Sequence, residues 1–221
     1  MGYTHSLMWQ WRRYEIRNTL TERRLASAVR RLSSQSPGLT LLDYGCGFGI
    51  RTRRIVEYLS PRTVDVSLFD IDFDLLQEAV KETGGQPWDK VLRAFDVILC
   101  FGVLELMSNE EVATTLRMFR SMMHPQSLLI IQNTNWDILA ARTMVWFLRS
   151  LRSRRTFASA SGTHAARLFP RNYDPLRVLL GHFRSADLQV LHTVRGPYIK
   201  SLYAPVPLSA TSFNLFFLRA V

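Results

Sequence analysis

The fold of this chain is decided by residues 41–49, Leu-Leu-Asp-Tyr-Gly-Cys-Gly-Phe-Gly. An apolar run begins at Leu39, three glycines then alternate, and Ile50 to Leu59 carries apolar residues at helical spacing. The pattern predicts a strand, a tight turn and a helix. Alternating glycines allow a left-handed backbone and let the chain approach a ligand closely. The first N–H groups of the helix point toward the same ligand. We therefore expect a nucleotide-like ligand at this turn.

Asp43 and Ile50 decide which kind of ligand the turn favours. A dinucleotide fingerprint has its third glycine at the position that Ile50 occupies, and Gly49 comes one residue early. The Asp43 carboxylate would repel a pyrophosphate, whereas it can hydrogen-bond to a cationic amine, directly or through water. The turn therefore favours a ligand with an ammonium group, such as S-adenosylmethionine (SAM), and disfavours a nicotinamide-dependent oxidoreductase.

An acid followed by Gly-x-Gly-x-Gly resembles the first motif of class I SAM-dependent methyltransferases. The resemblance continues downstream, where the apolar run Val64 to Phe69 and the acid Asp70 are similar to the family's second strand and its acid. Phe95 to Phe101 is similar to the fourth strand, and residues 103–106 are similar to the segment after it. The resemblance implies a Rossmann-like α/β fold, methyl transfer as the activity and SAM as the cofactor.

The resemblance also implies a set of cofactor-binding residues. Asp70 lies 25 residues after Gly45, a spacing at which an acid at the tip of the neighbouring parallel strand can hydrogen-bond both ribose hydroxyls. Asp72 and Asp74 are interpreted instead as acids at a helix start. The methionine end is expected at the first two glycines, and the sulfonium above the end of the fourth strand. The full expected set is Asp43, Tyr44, Gly45, Cys46, Gly47, Asp70, Ile71, Phe101 and Gly102. No metal site is predicted.

Residues 80–94 depart from the family pattern. In the family this segment holds the end of a helix, a third strand and a turn whose acid meets the adenine amino group. Here Gly84 predicts the helix end and Pro87 predicts a turn, which leaves too few residues for an ordinary strand. We expect the third strand to be shortened or missing. Two interpretations stay open: Trp88 or Asp89 replaces the missing acid, or the segment is only a short surface connection.

The second half of the chain predicts the remaining elements. A helical pattern over Glu110 to Met123 ends at His124-Pro125, and Ser127 to Ile131 is a continuous apolar strand. Residues 183–190 are similar to the family's late helix and sixth strand, and Phe213 to Leu218 predicts a last strand. Strands and helices that alternate at this length predict a mostly parallel sheet, covered by helices on both faces, with the ligand at the carboxyl ends of the strands.

Length and composition predict one domain over residues 1–221, because 47% apolar residues supply one core and no linker or repeat divides the chain. The family resemblance implies an N-terminal helical cap over 1–35 and a lid or acceptor-side insertion over 136–178. Cys46 and Cys100 lie inside predicted elements and do not resemble disulfide or metal partners, so a reducing cytoplasm is expected. No long uncharged apolar run is present, so a soluble protein is expected.

Basic residues exceed acidic residues by 28 to 18, which gives a formal net charge of +10. Seven arginines fall in residues 12–31 and eight in residues 142–177. A GC-rich genome also produces such an arginine bias, so the composition alone does not indicate a function for these arginines. The family resemblance places both segments around the acceptor. An anionic acceptor, or an anionic surface that carries it, is therefore the expected partner.

Residues 138–155 predict a basic amphipathic helix, with Phe147 among its apolar residues and Arg149 among its basic ones. One interpretation packs this helix on the sheet. The other is peripheral contact with a membrane surface, which Trp146 and the arginines favour. Nucleic-acid binding is disfavoured, because no recognised module appears and the aromatic residues lie on the apolar side.

Methyl transfer from a sulfonium is an in-line displacement that needs alignment in a dry pocket more than a strong base. Where the acceptor is oxygen or nitrogen, a base would help, and His164 and Tyr173 are the catalytic candidates, with His182 behind them. We expect a SAM-dependent methyltransferase that acts on an O, N or C atom of a small, anionic or lipid-like metabolite. The alternatives are a SAM-fold binding or partner protein without transfer activity and, less favoured, an RNA methyltransferase.

Overall fold

The computed structural model describes residues 19–32, 38–134, 176–195 and 213–221. Its elements are α1 Thr19–Leu32, β1 Gly38–Tyr44, α2 Ile50–Leu59, β2 Thr63–Phe69, α3 Phe73–Thr83, β3 Gln86–Pro87, β4 Phe95–Phe101, a 3-10 turn Leu104–Leu106, α4 Asn109–Ser121, β5 Met123–Thr134, α5 Leu176–Ser185, β6 Leu188–Arg195 and β7 Phe213–Ala220. Of the predicted cap over 1–35 only α1 is described, and the predicted lid over 136–178 lies almost wholly outside these ranges.

The strands form one seven-stranded sheet in the order β3-β2-β1-β4-β5-β7-β6. Strands β1 to β5 pair in parallel, while β7 runs antiparallel to both of its neighbours. In register, Asp43 of β1 lies beside Leu99 of β4, and Phe101 of β4 lies beside Gln132 of β5. The carboxyl ends of the central strands therefore meet at one edge of the sheet. The predicted mostly parallel Rossmann-like sheet is confirmed.

Both faces of the sheet are buried, because apolar residues continue without alternation along the central strands. Leu41 packs with residues of α1, α2 and α3 on one face. Its neighbour Leu42 packs with residues of α4 and α5 on the other face. Successive side chains of a strand point to opposite faces, so the two clusters are the two halves of one core divided by the sheet. The expectation of helices on both faces is confirmed.

The third strand is present, but it consists of Gln86 and Pro87 alone, which pair in parallel with Ser67 and Leu68 of β2. The prediction of a shortened strand is confirmed, whereas the prediction of a turn at Pro87 is wrong. β3 is the edge strand of the sheet, where the missing N–H of proline costs no ladder hydrogen bond. Gly84 ends α3 in a left-handed conformation, as its position predicts.

The boundary between α4 and β5 differs from its prediction. The helix ends at Ser121 and the strand begins at Met123, opposite Phe95, so His124 lies in the strand. The register then jumps to Leu128, and this irregularity accommodates Pro125. No helix in the described ranges is long and apolar enough to span a bilayer.

Candidate active site

The glycine turn after β1 folds back onto the end of β2. Gly45, Gly47 and Gly49 all have positive φ, at 83°, 53° and 71°. The backbone N–H groups of Gly45 and Cys46 both donate to the carbonyl oxygen of Phe69, at 2.7 and 3.0 Å. The turn is thus closed by hydrogen bonds to the neighbouring strand.

Two of these glycines are also required by packing inside the protein. A Cβ on Gly45 would lie 2.2 Å from Cγ2 of Val103, and a Cβ on Gly49 would lie 2.9 Å from the Cα of Ala79. Both distances are shorter than real contacts allow, and positive φ disfavours a side chain at either position. The sequence pattern accounted for these glycines by ligand approach. The structure adds close contact with the segment after β4 and with α3.

Asp70 joins the end of β2 to the glycine turn. One carboxylate oxygen accepts from the backbone N–H of Gly47 at 2.9 Å, and the other accepts from the N–H of Asp72 at 3.0 Å. Burial raises the pKa of Asp70, and these backbone hydrogen bonds oppose the rise. A carboxylate has about four acceptor positions, so Asp70 can also accept from a ligand hydroxyl.

Asp72 has the helix-start role that its position predicts. It is the N-cap of α3, and its side chain accepts from the N–H groups of Asp74 and Leu75 at 3.0 and 3.2 Å. This is the hydrogen-bond pattern of a capping aspartate. Of the three acids at the end of β2, Asp70 is therefore the one that faces the turn.

Asp43 is a buried carboxylate behind the glycine turn. Its side chain is only 4% exposed and accepts a hydrogen bond from the hydroxyl of Thr52 in α2. Burial raises the pKa of Asp43 to about 6; the hydrogen bond and the charge of Arg51 oppose the rise, while the charge of Asp70 adds to it. The centre of the site thus holds an acid that ionises close to neutral pH.

Arg51 was missed by sequence reasoning. Its guanidinium lies 4.9 Å from the centre of the Phe101 ring and donates to the side-chain oxygen of Gln132 at 3.0 Å. The backbone oxygen of Gln132 in turn accepts from the N–H of Gly102 at 3.0 Å. An arginine at the second helical position after an acid–glycine turn is the signal that could have found it. A cation therefore lies over the ends of β4 and β5.

The side chains of Tyr44 and Cys46 face the core. The Tyr44 ring stacks on Phe69 at 4.6 Å and meets Phe119 edge-on at 5.1 Å. Cys46 is buried on the opposite face of the sheet. Their backbone atoms alone lie in the turn that faces the expected ligand. Ile71, by contrast, is 68% exposed beside Asp70.

The adenine end of the predicted site is occupied by a short loop that satisfies its own polar groups. Trp88 is 8% exposed, packs edge-on against Phe69, and donates its ring N–H to the Val91 carbonyl at 3.1 Å. Asp89 is exposed and accepts from the N–H of Val91 at 3.0 Å. Trp88 is thus a core residue, which argues against the interpretation that it replaces the missing adenine acid.

The predicted catalytic candidates His164 and Tyr173 lie outside the described ranges. His182 lies in the last turn of α5, which leads into the amino end of β6 and therefore away from the glycine turn. This position argues against a catalytic role for His182, the least favoured of the three candidate bases. Within the described ranges, no group of three metal-ligating side chains comes together, and neither Cys46 nor Cys100 forms a disulfide.

Two of the seven arginines in residues 12–31 bind the end of the sheet opposite the glycine turn. Arg30 donates to the carbonyl oxygens of Tyr58 and Ser60, the latter at 3.1 Å, and Arg23 donates to the hydroxyl of Tyr58 at 3.2 Å. These groups lie at the carboxyl end of α2, where a cation is favoured by the helix dipole. The expectation that this cluster surrounds the acceptor is therefore wrong for Arg23 and Arg30.

The seven-stranded sheet, with the acid–glycine turn at its carboxyl edge, is the fold of a Rossmann-like methyltransferase. The chain belongs to the methyltransferase domain family, whose model matches residues 9–193. It is an enzyme, a SAM-dependent methyltransferase with SAM as its cofactor. No curated protein matches its sequence.

Solved structures share the fold at low identity. Magnesium protoporphyrin IX methyltransferase (ChlM) from Synechocystis PCC 6803, with bound SAH, has a TM-score of 0.64 and 13% identity, over 92% of this chain and 83% of its own. The cyclopropane synthase MmaA2 from Mycobacterium tuberculosis has a TM-score of 0.60 and 14% identity, over 88% and 82%. A SAM-dependent methyltransferase from Clostridium acetobutylicum ATCC 824 has a TM-score of 0.58 and 11% identity, over 92% and 91%.

Proposed function

We propose that this enzyme transfers a methyl group from SAM to an O, N or C atom of a small metabolite that is anionic or lipid-like. The observation that carries the proposed site is the hydrogen bond from Gly47 to Asp70, because it unites the turn after β1 with the acid after β2. A ligand that extends from one strand end to the next would meet both groups at once.

The residues around this bond fit the chemistry of SAM. Asp70 has acceptor positions for the two ribose hydroxyls, and exposed Ile71 offers an apolar surface beside them for the adenine. Asp43 supplies a negative charge for the methionine ammonium, through water where burial prevents direct contact. Phe101 and Gly102, at the end of β4, form the floor below the sulfonium in this arrangement.

Bound SAM supplies a methyl group on a cationic sulfur, which an acceptor atom displaces in line. The chain's own contribution is to hold the reacting parts still and to exclude water. The glycine turn is already closed onto Phe69, and the Phe101 ring is covered by Arg51, so little rearrangement is needed on binding. In this proposal His164 and Tyr173 are candidate bases for an oxygen or nitrogen acceptor, supplied by the segment that follows β5.

The acceptor side is proposed at the end of β5. Asn133 is only 9% exposed, and its side-chain oxygen has no hydrogen-bond partner within the ranges that the structure describes. A buried amide oxygen without a partner is costly, which favours a ligand donor at this position. Asn133 directly precedes the predicted acceptor-side insertion over 136–178, so the strand end and the insertion would bind the acceptor together.

Charge supports an anionic acceptor and contact with an anionic surface. The formal net charge is +10, and the eight arginines of residues 142–177 follow the proposed acceptor side in sequence. The neighbour ChlM is named as a methyltransferase of magnesium protoporphyrin IX, a small molecule, which fits this class of substrate. Residues 138–155 are proposed as the segment that touches a membrane surface where the acceptor is carried by lipid.

The test is to incubate the purified enzyme with methyl-labelled SAM and a cell extract, and to identify the labelled product. We expect label in a low-molecular-mass acidic or lipid fraction, with a rate that falls as salt rises because the arginines are screened. The Asp70→Ala variant is the control for background transfer. Label in RNA, or transfer that salt does not change, would contradict the proposed substrate class.

A further inference from the structure

We propose that Arg51 and Asp43 together recognise the amino-acid end of the cofactor as a zwitterion, with Arg51 binding its carboxylate and Asp43 its ammonium group. Arg51 is thereby a specificity-determining residue for ligands that carry a free carboxylate. The proposal rests on the proposed cofactor site, and it concerns a cation that the acid–glycine pattern does not contain.

The position of Arg51 suits a carboxylate at this end of the site. It is the second residue of α2, directly after the turn, and its guanidinium carbon lies over the Phe101 ring, 4.9 Å from the ring centre. The hydrogen bond to Gln132 at 3.0 Å ties the guanidinium to the end of β5. A guanidinium carries five N–H donors in one plane, which match the two oxygens of a carboxylate. The side chain is therefore held in advance over the ends of β4 and β5.

The charges around the turn require such a cation. The charge of Asp70 raises the pKa of Asp43, and the charge of Arg51 lowers it. A ligand carboxylate placed between two acids would be repelled unless a cation were beside it. Asp43 and Arg51 instead offer one charge of each sign at adjacent places. This arrangement is complementary to an α-amino acid and not to an amine alone.

The experiment compares two sulfonium ligands by calorimetry: SAM, and its decarboxylated analogue, which keeps the ammonium and lacks the carboxylate. We expect the wild-type enzyme to bind SAM about 10- to 100-fold more tightly, as one charged hydrogen-bonded pair contributes. In Arg51→Gln this preference falls to about twofold, because SAM binding weakens while the analogue binds as before. Arg51→Lys keeps the charge without the planar fork and is expected to retain only part of the preference.

Arg53→Gln is the matched control. Arg53 lies on the same helix and pairs with Glu57 and Glu82, the latter at 2.8 Å, so its loss leaves the ligand preference intact. Equal weakening of both ligands in Arg51→Gln would overturn the proposal and assign Arg51 a structural role. Unchanged SAM binding together with lost transfer to acidic acceptors would also overturn it. Failure of the wild-type enzyme to bind SAM at all would instead overturn the proposed site.

Thermal unfolding checks that each variant is folded. Where Arg51→Gln is unfolded, the comparison is made with Arg51→Lys, and an undiminished preference for SAM in that variant would overturn the bidentate arrangement. The ratio of two affinities measured on one protein does not depend on the fraction that is active, so a partly unfolded preparation gives the same answer.

Discussion

The two ends of the proposed cofactor site are built differently. At the amino-acid end, buried Asp43 and the cation of Arg51 adjoin a turn that Asp70 and Phe69 hold closed. At the adenine end, two residues of β3 lead into a loop whose polar groups bind one another, and Leu92 is 63% exposed there. Charged, prearranged groups bind more strongly than an open loop. We infer that the amino-acid and ribose ends supply most of the binding free energy.

The largest expected effect comes from Asp70→Ala. Each of its two charged hydrogen bonds to backbone contributes about 1.5–3 kcal/mol. Their loss releases the turn at Gly47 and, in the proposed site, also removes the acceptor for the ribose hydroxyls. We expect the affinity for SAH, measured by calorimetry, to fall at least about 100-fold in a variant that remains folded. Asp72→Asn is the control, because asparagine also caps a helix, and its affinity should stay within about threefold. Unchanged SAH binding in Asp70→Ala would remove the assigned role.

Trp88→Ala tests whether the adenine end belongs to the core. Truncation of a buried tryptophan lowers the free energy of unfolding by about 3–5 kcal/mol, measured by denaturant titration. Trp88→Phe retains most of the packing and should bind SAH within about twofold of wild type. A stable Trp88→Phe variant with strongly reduced SAH affinity would show that Trp88 contacts the adenine after all.

Asp43 predicts a pH dependence of binding. A ligand ammonium favours the ionised carboxylate, so the affinity for SAH should fall about tenfold per pH unit below the pKa of about 6. Asp43→Asn should bind more weakly at pH 8 and show no such slope. Calorimetry from about pH 5 to about pH 8, in steps of about one pH unit, checks both statements. A wild-type affinity that is constant over this range would exclude Asp43 from ammonium recognition.

The raised pKa of Asp43 also predicts that the fold becomes less stable as pH rises, whereas ligand binding becomes stronger. Because its pKa of about 6 in the folded protein lies above the ordinary pKa of 3.8, Asp43 stabilises the fold below pH 3.8, and that contribution is lost as pH rises through 6. Asp43→Asn has no charge to bury and should therefore unfold at a higher temperature than wild type at pH 7. Thermal unfolding of both proteins without ligand gives the comparison.

The smallest effect is expected from Asp89→Asn. The Asp89 carboxylate already accepts from Val91 in a local turn, and asparagine can make the same turn. The affinity for SAH should therefore change less than about threefold. A charged hydrogen bond from the adenine amino group to Asp89 would contribute more than this, so its loss would lower the affinity further. A loss of about tenfold or more would show that Asp89 reads the adenine and that the two ends are more alike than we infer.

Local signals were sufficient for the turns and helix ends of this protein. Ile50 begins α2, Asp72 caps α3 and Gly84 ends α3, as predicted, because caps and glycine turns depend on neighbours along the chain. The sequence indicated the short β3 only indirectly, because too few residues are available there for an ordinary third strand. Its place depends on hydrogen bonds to Ser67 and Leu68, which lie about twenty residues away.

Contacts across the sheet could not be predicted in the same way. Tyr44 and Trp88 belong to a site motif and an expected ligand loop, yet their rings meet in the core on the face of α4. Arg23 and Arg30 resemble a substrate-facing charge cluster, yet they bind the end of α2. In each case the direction of a long side chain depends on which surface the fold places within its reach.

The amino-acid sequence by itself determined the class of this protein, because an acid, alternating glycines and a second acid after the next strand form a motif that is recognisable along the chain. Only the tertiary structure decided that the two acids, Asp43 and Asp70, have different roles. Asp70 holds the turn through Gly47, while burial leaves Asp43 with a pKa of about 6. It also brought Arg51 over Phe101, since helix and strand meet there only after the sheet has formed.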